Sequence, residues 1–233
     1  MIAVYDMSRY LASFEFFSWL VMVQADGATS VCIDDSCPKL KNFTREDVAE
    51  RVRSIIEPGS ALAGLPWFRQ QRKTPLVAIA SQLGSWYRSG RRFRRLRSPK
   101  PPVTCDFTVT LRTNPGAKSR NSNREVWLRF AERIGAKVID DYYAEPIHLH
   151  DRYALYAGAK MNFGVCNGPV FTLSLTEYPV AMFANTQSAR NSNTRFGQPP
   201  DQNYPWMLRN QHLIWRPDDS VDDLMRVFDE LRI

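Results

Sequence analysis

The sequence predicts an α/β protein in two halves, each a doubly wound, Rossmann-like parallel sheet. Three observations predict it. Short apolar runs alternate with amphipathic stretches along the whole chain. Residues 2–33 read as one complete β-α-β unit, the building block of parallel sheets. Glycine, proline and asparagine fall mostly between the apolar runs, where turns belong.

In the first half, residues 2–5 (Ile-Ala-Val-Tyr) are a strand and residues 6–9 a loop. Residues 13–25 read as a buried helix with Ser13 as its N-cap and Asp26-Gly27 as its end. Residues 30–33 resume the strand pattern. A polar helix is expected from Thr44 through Ile56, capped by Thr44 and stopped by Pro58-Gly59. Residues 76–80 (Leu-Val-Ala-Ile-Ala) are a further strand. The texture then changes: residues 88–102 hold an arginine block and a proline cluster, read as a linker or exposed loop. The boundary is placed here, between an N-terminal half, 1–98, and a C-terminal half, 103–233.

In the second half, a strand at 107–111 runs into a polar loop at 113–122. Residues 123–134 carry Val126, Trp127, Phe130 and Ile134 at helical spacing, and Gly135 ends the helix. A strand at 137–139 delivers Asp140 and Asp141 to its carboxyl end. A helix at 151–157, a strand at 160–166, a tight turn at Asn167-Gly168-Pro169, a helix at 170–176 and a strand at 179–183 follow. The last element is a helix at 218–232 with Val221, Leu224, Val227, Phe228 and Leu231 inward. Arg-Asn-Ser-Asn occurs at 120–123 and again at 190–193, a coincidence of loop composition rather than a repeat.

Composition narrows the function. The longest apolar run, residues 14–23, contains Glu15 and Ser18 and falls short of the roughly 20 residues a membrane span needs. No basic leader precedes a signal core, so secretion is not expected. Cys32, Cys37, Cys105 and Cys166 form no CxxC, and His148, His150 and His212 complete no zinc pattern. These features point to reduced thiols in the cytoplasm, with no metal and no cofactor. The net charge of +7 is concentrated in Arg88, Arg91, Arg92, Arg94, Arg95 and Arg97. That block is either a solvated face or a contact for phosphate or an anionic membrane surface, which would make the protein peripheral at the inner membrane. No nucleic-acid-binding motif accompanies it, so nucleic acid is not the expected partner.

In open parallel sheets ligands sit beyond the carboxyl ends of the strands. That rule selects Arg112, Asp140, Asp141, Asn167, Gly168, Pro169 and the loop after Phe183. Arg112 and Arg120 offer planar forks to phosphate oxygens. Asn121, Ser122 and Asn123 add hydrogen-bonding groups at a helix start, and the helix after Gly168 offers backbone N–H groups to an anion. No Walker-type GxxxxGK[ST] and no GxGxxG occurs, which weighs against an ATPase or a standard dinucleotide enzyme. His148 and His150 alternate on one side of an extended segment, as phosphate or metal contacts or as a polar cap. His150 or Asp151 as N-cap of the next helix is the plainer account. Arg152 reaches either phosphate or the Asp140/Asp141 pair. Trp206 and Trp215 either stack on a base or sugar or pack under the nearby loop.

Residues 153–169 (Tyr-Ala-Leu-Tyr-Ala-Gly-Ala-Lys-Met-Asn-Phe-Gly-Val-Cys-Asn-Gly-Pro) and then 179–183 (Pro-Val-Ala-Met-Phe) resemble the donor-binding domain of GT-B glycosyltransferases, most closely the heptosyltransferase-like group. Residues 107–112 are similar to the first strand of that domain. Asn167-Gly168-Pro169 stands where the family often has Asp-Ser-Gly-Pro, with asparagine in place of the acidic and serine positions. The resemblance implies two halves in a GT-B-like arrangement and a nucleotide-sugar donor whose diphosphate lies over the Asn167–Pro169 turn and the loop after Leu111. It also implies metal-independent transfer and a catalytic base just after the first strand, which is Asp6 here, with Glu15 as second choice. Asp6 as a simple loop cap, and a non-catalytic nucleotide or phosphometabolite binder, are the alternatives.

Overall fold

Eight strands form two all-parallel sheets among the residues described, which in the computed structural model are 1–7, 12–34, 44–69, 83–113, 121–140, 147–184, 202–215 and 219–231. The chain divides into two units, Met1–Pro99 and Lys100–Ile233, each built around one sheet. The architecture is α/β and Rossmann-like. The predicted strand at 76–80 lies outside the described residues, as do Arg120, Asp141 and Cys37.

The first sheet has the order β1 (Ile2–Asp6), β2 (Ser30–Asp34), β3 (Trp67–Arg69). Helix α1 (Glu15–Ala25) joins the first two strands and buries Phe16 through Met22 without a break, which explains its lack of a polar face. Tyr5 meets Phe16 and Trp19 edge-on at 4.9 and 5.1 Å, fixing the helix against the strand. The cap differs by one position from the expected Ser13: Phe14 takes that place, and the Ser13 hydroxyl accepts from Glu15 N at 3.3 Å. Asp26 and Gly27 end the helix as expected, with Gly27 at φ +90°.

Thr44 caps α2 (Arg45–Arg51) through a reciprocal capping box with Asp47, whose carboxyl those bonds hold below the usual range. Pro58-Gly59 does not stop the helix. A π-helical turn at Val52–Ile56 intervenes, and α3 (Glu57–Ala63) continues through both residues. The wider i→i+5 turn lies just ahead of Pro58, which sits in the first turn of α3, where its missing N–H and ring are tolerated. Gly59 lets α1 pack closely there: a Cβ would lie 3.2 Å from the Phe17 ring, a tight contact. The helix ends at Gly64, φ +66°. A short helix, α4 (Leu83–Arg88), follows.

The second sheet comprises β4 (Cys105–Thr110), β5 (Lys137–Ile139), β6 (Ala159–Val165), β7 (Val180–Phe183) and β8 (Gln211–Ile214), in the order β5-β4-β6-β7-β8. Helices cover both faces. On one, α5 (Arg124–Arg133) and α8 (Val221–Glu230) bring Trp127, Phe130, Leu224 and Val227 against Val109, Phe163, Val165 and Phe183. On the other lie α6 (Leu149–Gly158) and α7 (Gly168–Leu173), facing Thr108, Thr110, Asn162 and Gly164. Gly164 admits α7 closely, since a Cβ would lie 2.8 Å from Val170 Cγ2 and 2.9 Å from Thr110 O.

Candidate functional site

The strand order contains a reversal. From β4 the chain steps to β5 on one side, then returns through α6 to β6 on the other. The carboxyl ends of β4 and β6 therefore flank a topological switch point, where the helices on either side diverge and leave a crevice. The last paired rung sets Thr110 opposite Gly164. Two residues beyond it on each strand come Arg112 and Cys166, with Asn167 next. The sequence-selected residues Arg112, Asn167, Gly168 and Pro169 thus follow the carboxyl ends of these two neighbouring strands, on either side of the switch point.

Each side of it is built by polar contacts, part-buried or exposed on the β4 side and mostly buried on the β6 side. Ser122 returns the loop to the end of β4: its hydroxyl accepts from Arg112 N at 2.9 Å, and its own N–H donates to Arg112 O at 3.0 Å. Asn123 occupies the N-cap position of α5 without a side-chain capping bond, and its N–H donates to Asp219 ahead of α8 at 3.1 Å. Asp140, at the end of β5, accepts from Arg124 and from the Thr113 hydroxyl, the latter at 3.3 Å. Asp140 therefore clamps the loop after β4 to the start of α5. Asn121 lies half-buried beside Ser122.

On the β6 side, Asn167 is 6% exposed and its Oδ1 accepts from Val170 N at 3.0 Å, capping α7. A chain of hydroxyls sets the turn beneath it. Tyr153 Oη donates to Thr172 Oγ1 at 2.5 Å, and Thr172 donates to Pro169 O at 2.7 Å. Burial, the dominant influence, pushes the Tyr153 hydroxyl far above the ordinary tyrosine range, so it stays a donor. Asn162 donates to Tyr156 O at 3.1 Å and Pro179 O at 2.8 Å while accepting from Thr108 at 2.6 Å. Those three bonds lock α6, β4 and the approach to β7 together.

The remaining candidates have different surroundings. The cap of α6 is His148, not His150 or Asp151: His148 Nδ1 accepts from His150 N at 3.3 Å. The two imidazoles stand edge to face, 4.9 Å apart. Asp151 instead bonds Lys100 at 2.5 Å, which holds its carboxyl below the usual range. Arg152 is 3% exposed within α6, and Asp140 pairs with Arg124. Trp206 is core: it stacks on Tyr204 at 4.8 Å and donates to Ser174 Oγ at 3.0 Å. Trp215 donates to Gln202 O at 3.1 Å.

In the first unit, Asp6 ends β1 and Glu15 lies exposed in the first turn of α1, both at the carboxyl end of that sheet. The structure adds a residue that sequence reasoning passed over. Asp34 is the register partner of Asp6 at the end of β2 and is buried. The strand-end rule applied to residues 30–33 would have reached it. Among the described residues no three His, Cys, Asp or Glu side chains group as a metal site requires, and no helix is long and apolar enough to cross a membrane. Compared with protein-family models, with curated proteins and with solved structures, the chain finds no match in any of the three.

Proposed function

We propose that the second unit binds the diphosphate of a nucleotide-sugar at the β4/β6 switch point and that the protein is a metal-independent glycosyltransferase. One observation carries this reading: Arg112 and the Asn167–Pro169 turn flank the switch point of a doubly wound parallel sheet, where such folds take their ligands. A guanidinium there suits phosphate oxygens by charge and by planar geometry. The buried hydroxyl chain from Tyr153 through Thr172 to Pro169 pre-sets the turn, so binding need not order it.

In the transfer, the acceptor hydroxyl attacks the anomeric carbon, the bond to the donor phosphate breaks, and the nucleoside diphosphate leaves. Asp6 is the carboxylate assigned to take the hydroxyl proton. The proposed compartment is the cytoplasm, where such donors are used. The second reading, a non-catalytic nucleotide or phosphometabolite binder, draws on Asn167, whose carboxamide oxygen is already committed to capping α7.

The test is a panel of nucleotide-sugars assayed for release of nucleoside diphosphate, with wild type beside Asp6→Asn. The expected result is release with one donor class, reduced about 10²–10⁴-fold in Asp6→Asn with donor affinity retained. Donor binding without release in the wild type, across a range of acceptors, would establish the binder instead. Binding of no donor would overturn the glycosyltransferase reading.

A further inference from the structure

The arginine block is a built surface rather than a slack linker. Just past the end of α4, Gly90 with φ of +92° turns the chain back, so that arginines after it lie over rings that precede them. Trp86, Tyr87 and Phe93 form one cluster, with Phe93 6.5 Å from Trp86 and 6.1 Å from Tyr87. Each ring carries one guanidinium: Arg91 over Trp86 at 5.9 Å, Arg92 over Tyr87 at 4.3 Å and Arg95 over Phe93 at 5.0 Å. The segment is then pinned to the first unit by Leu96, which is buried, and by Arg97 N, which donates to Leu62 O at 3.1 Å. Residues 83–100 contain no acidic side chain. Arg88, Arg91, Arg92, Arg94 and Arg97 are exposed.

Its place in the unit follows from one further bond. Arg91 pairs at 3.4 Å with Asp26, in the turn that leads from α1 into β2. Thr29 of the same turn bonds Met1 at the start of the first sheet, beside Ile2, which is 49% exposed. The surface thus lies at the amino ends of the strands, opposite the end that holds Asp6 and Asp34.

We propose that this surface docks the protein on an anionic lipid bilayer. The charge is right, and so is its form: a polybasic cluster beside half-buried aromatic rings and an exposed aliphatic side chain suits the headgroup level of a membrane. Single-stranded nucleic acid fits less well, because its affinity draws on bases stacking against aromatic faces. Here each ring already bears a guanidinium of the same segment. The inference is independent of the donor-site reading, since it uses neither Arg112 nor Asn167.

The experiment is flotation of the whole protein with vesicles of phosphatidylcholine alone and of phosphatidylcholine with about a third phosphatidylserine, at low and physiological salt. The variants are Arg92→Ala/Arg94→Ala/Arg95→Ala and the matching triple lysine variant, each checked for a cooperative melt. Flotation only with the anionic vesicles is expected, falling about fivefold for each arginine removed to alanine and largely kept by lysine. Absence of flotation at low salt would overturn the proposal. So would equal flotation by a folded triple alanine variant, or tighter binding to single-stranded oligonucleotides than to vesicles at equal phosphate.

Discussion

The two faces of the five-stranded sheet are built from different chemistry. The α5/α8 face is aromatic: Phe130 and Phe163 meet edge to face at 5.3 Å, as do Trp127 and Phe183, and Phe228 closes over Phe107 at 5.2 Å. The α6/α7 face is a hydrogen-bonded lattice of Thr108, Thr110, Asn162, Tyr153, Tyr156 and Thr172. Gln211 extends it at the edge, its amide nitrogen donating to Leu173, Thr176 and Tyr178 carbonyls, each at 3.0 Å. Apolar burial is strong but undirected, whereas hydrogen bonds fix distances and angles. The aromatic face therefore supplies stability, and the polar face sets where α7 and the Asn167–Pro169 turn stand.

That division is testable by separating stability from binding. Phe163→Ala, on the aromatic face, is expected to cost about 3–5 kcal/mol in urea unfolding. The folded fraction should keep its nucleoside diphosphate affinity. Asn162→Leu, on the polar face, strands the Tyr156 and Pro179 carbonyls and should cost less, about 2–3 kcal/mol. It should nonetheless weaken binding at least tenfold, and equal binding loss in both variants would break the distinction. Tyr153→Phe removes one buried bond, about 1 kcal/mol. Its signature is a change at the Pro169 end of α7, read as faster amide exchange at Val170 and Phe171. The smallest effect is a pH dependence on the aromatic side. Half-burial there lowers the His212 pKa below its ordinary value. The neutral form is thus favoured by folding, so stability is full above about pH 6.5 and declines as pH falls through the lowered pKa. Unfolding midpoints across that window should slope less in His212→Gln.

This contrast also explains which parts of the fold were legible. β4, β5, β6 and β7 announce themselves as apolar or β-branched runs between turn residues. β8 does not, because Gln211 and His212 break the run, and the buried Gln211 finds its partners only in the folded α7 region. β3, three residues of Trp-Phe-Arg, is too short to show a period. Pro58-Gly59 read as a stop because the π turn that accommodates it leaves no mark in a hydrophobic pattern. Asp6 entered through the family resemblance, whereas the strand-end rule selected Arg112 and Asn167, since it needs only strand ends and order. It could not foresee that Asp140 would clamp Arg124 and Thr113, or that His148 would cap α6 ahead of an aspartate usually preferred there.

The most direct test of the switch-point site is calorimetric titration of nucleoside diphosphates into wild type and Arg112→Ala, both shown to melt cooperatively. Saturable binding that weakens at least tenfold in Arg112→Ala is the predicted result. Undiminished binding by Arg112→Ala, or no heat of binding with any nucleoside diphosphate, would contradict it.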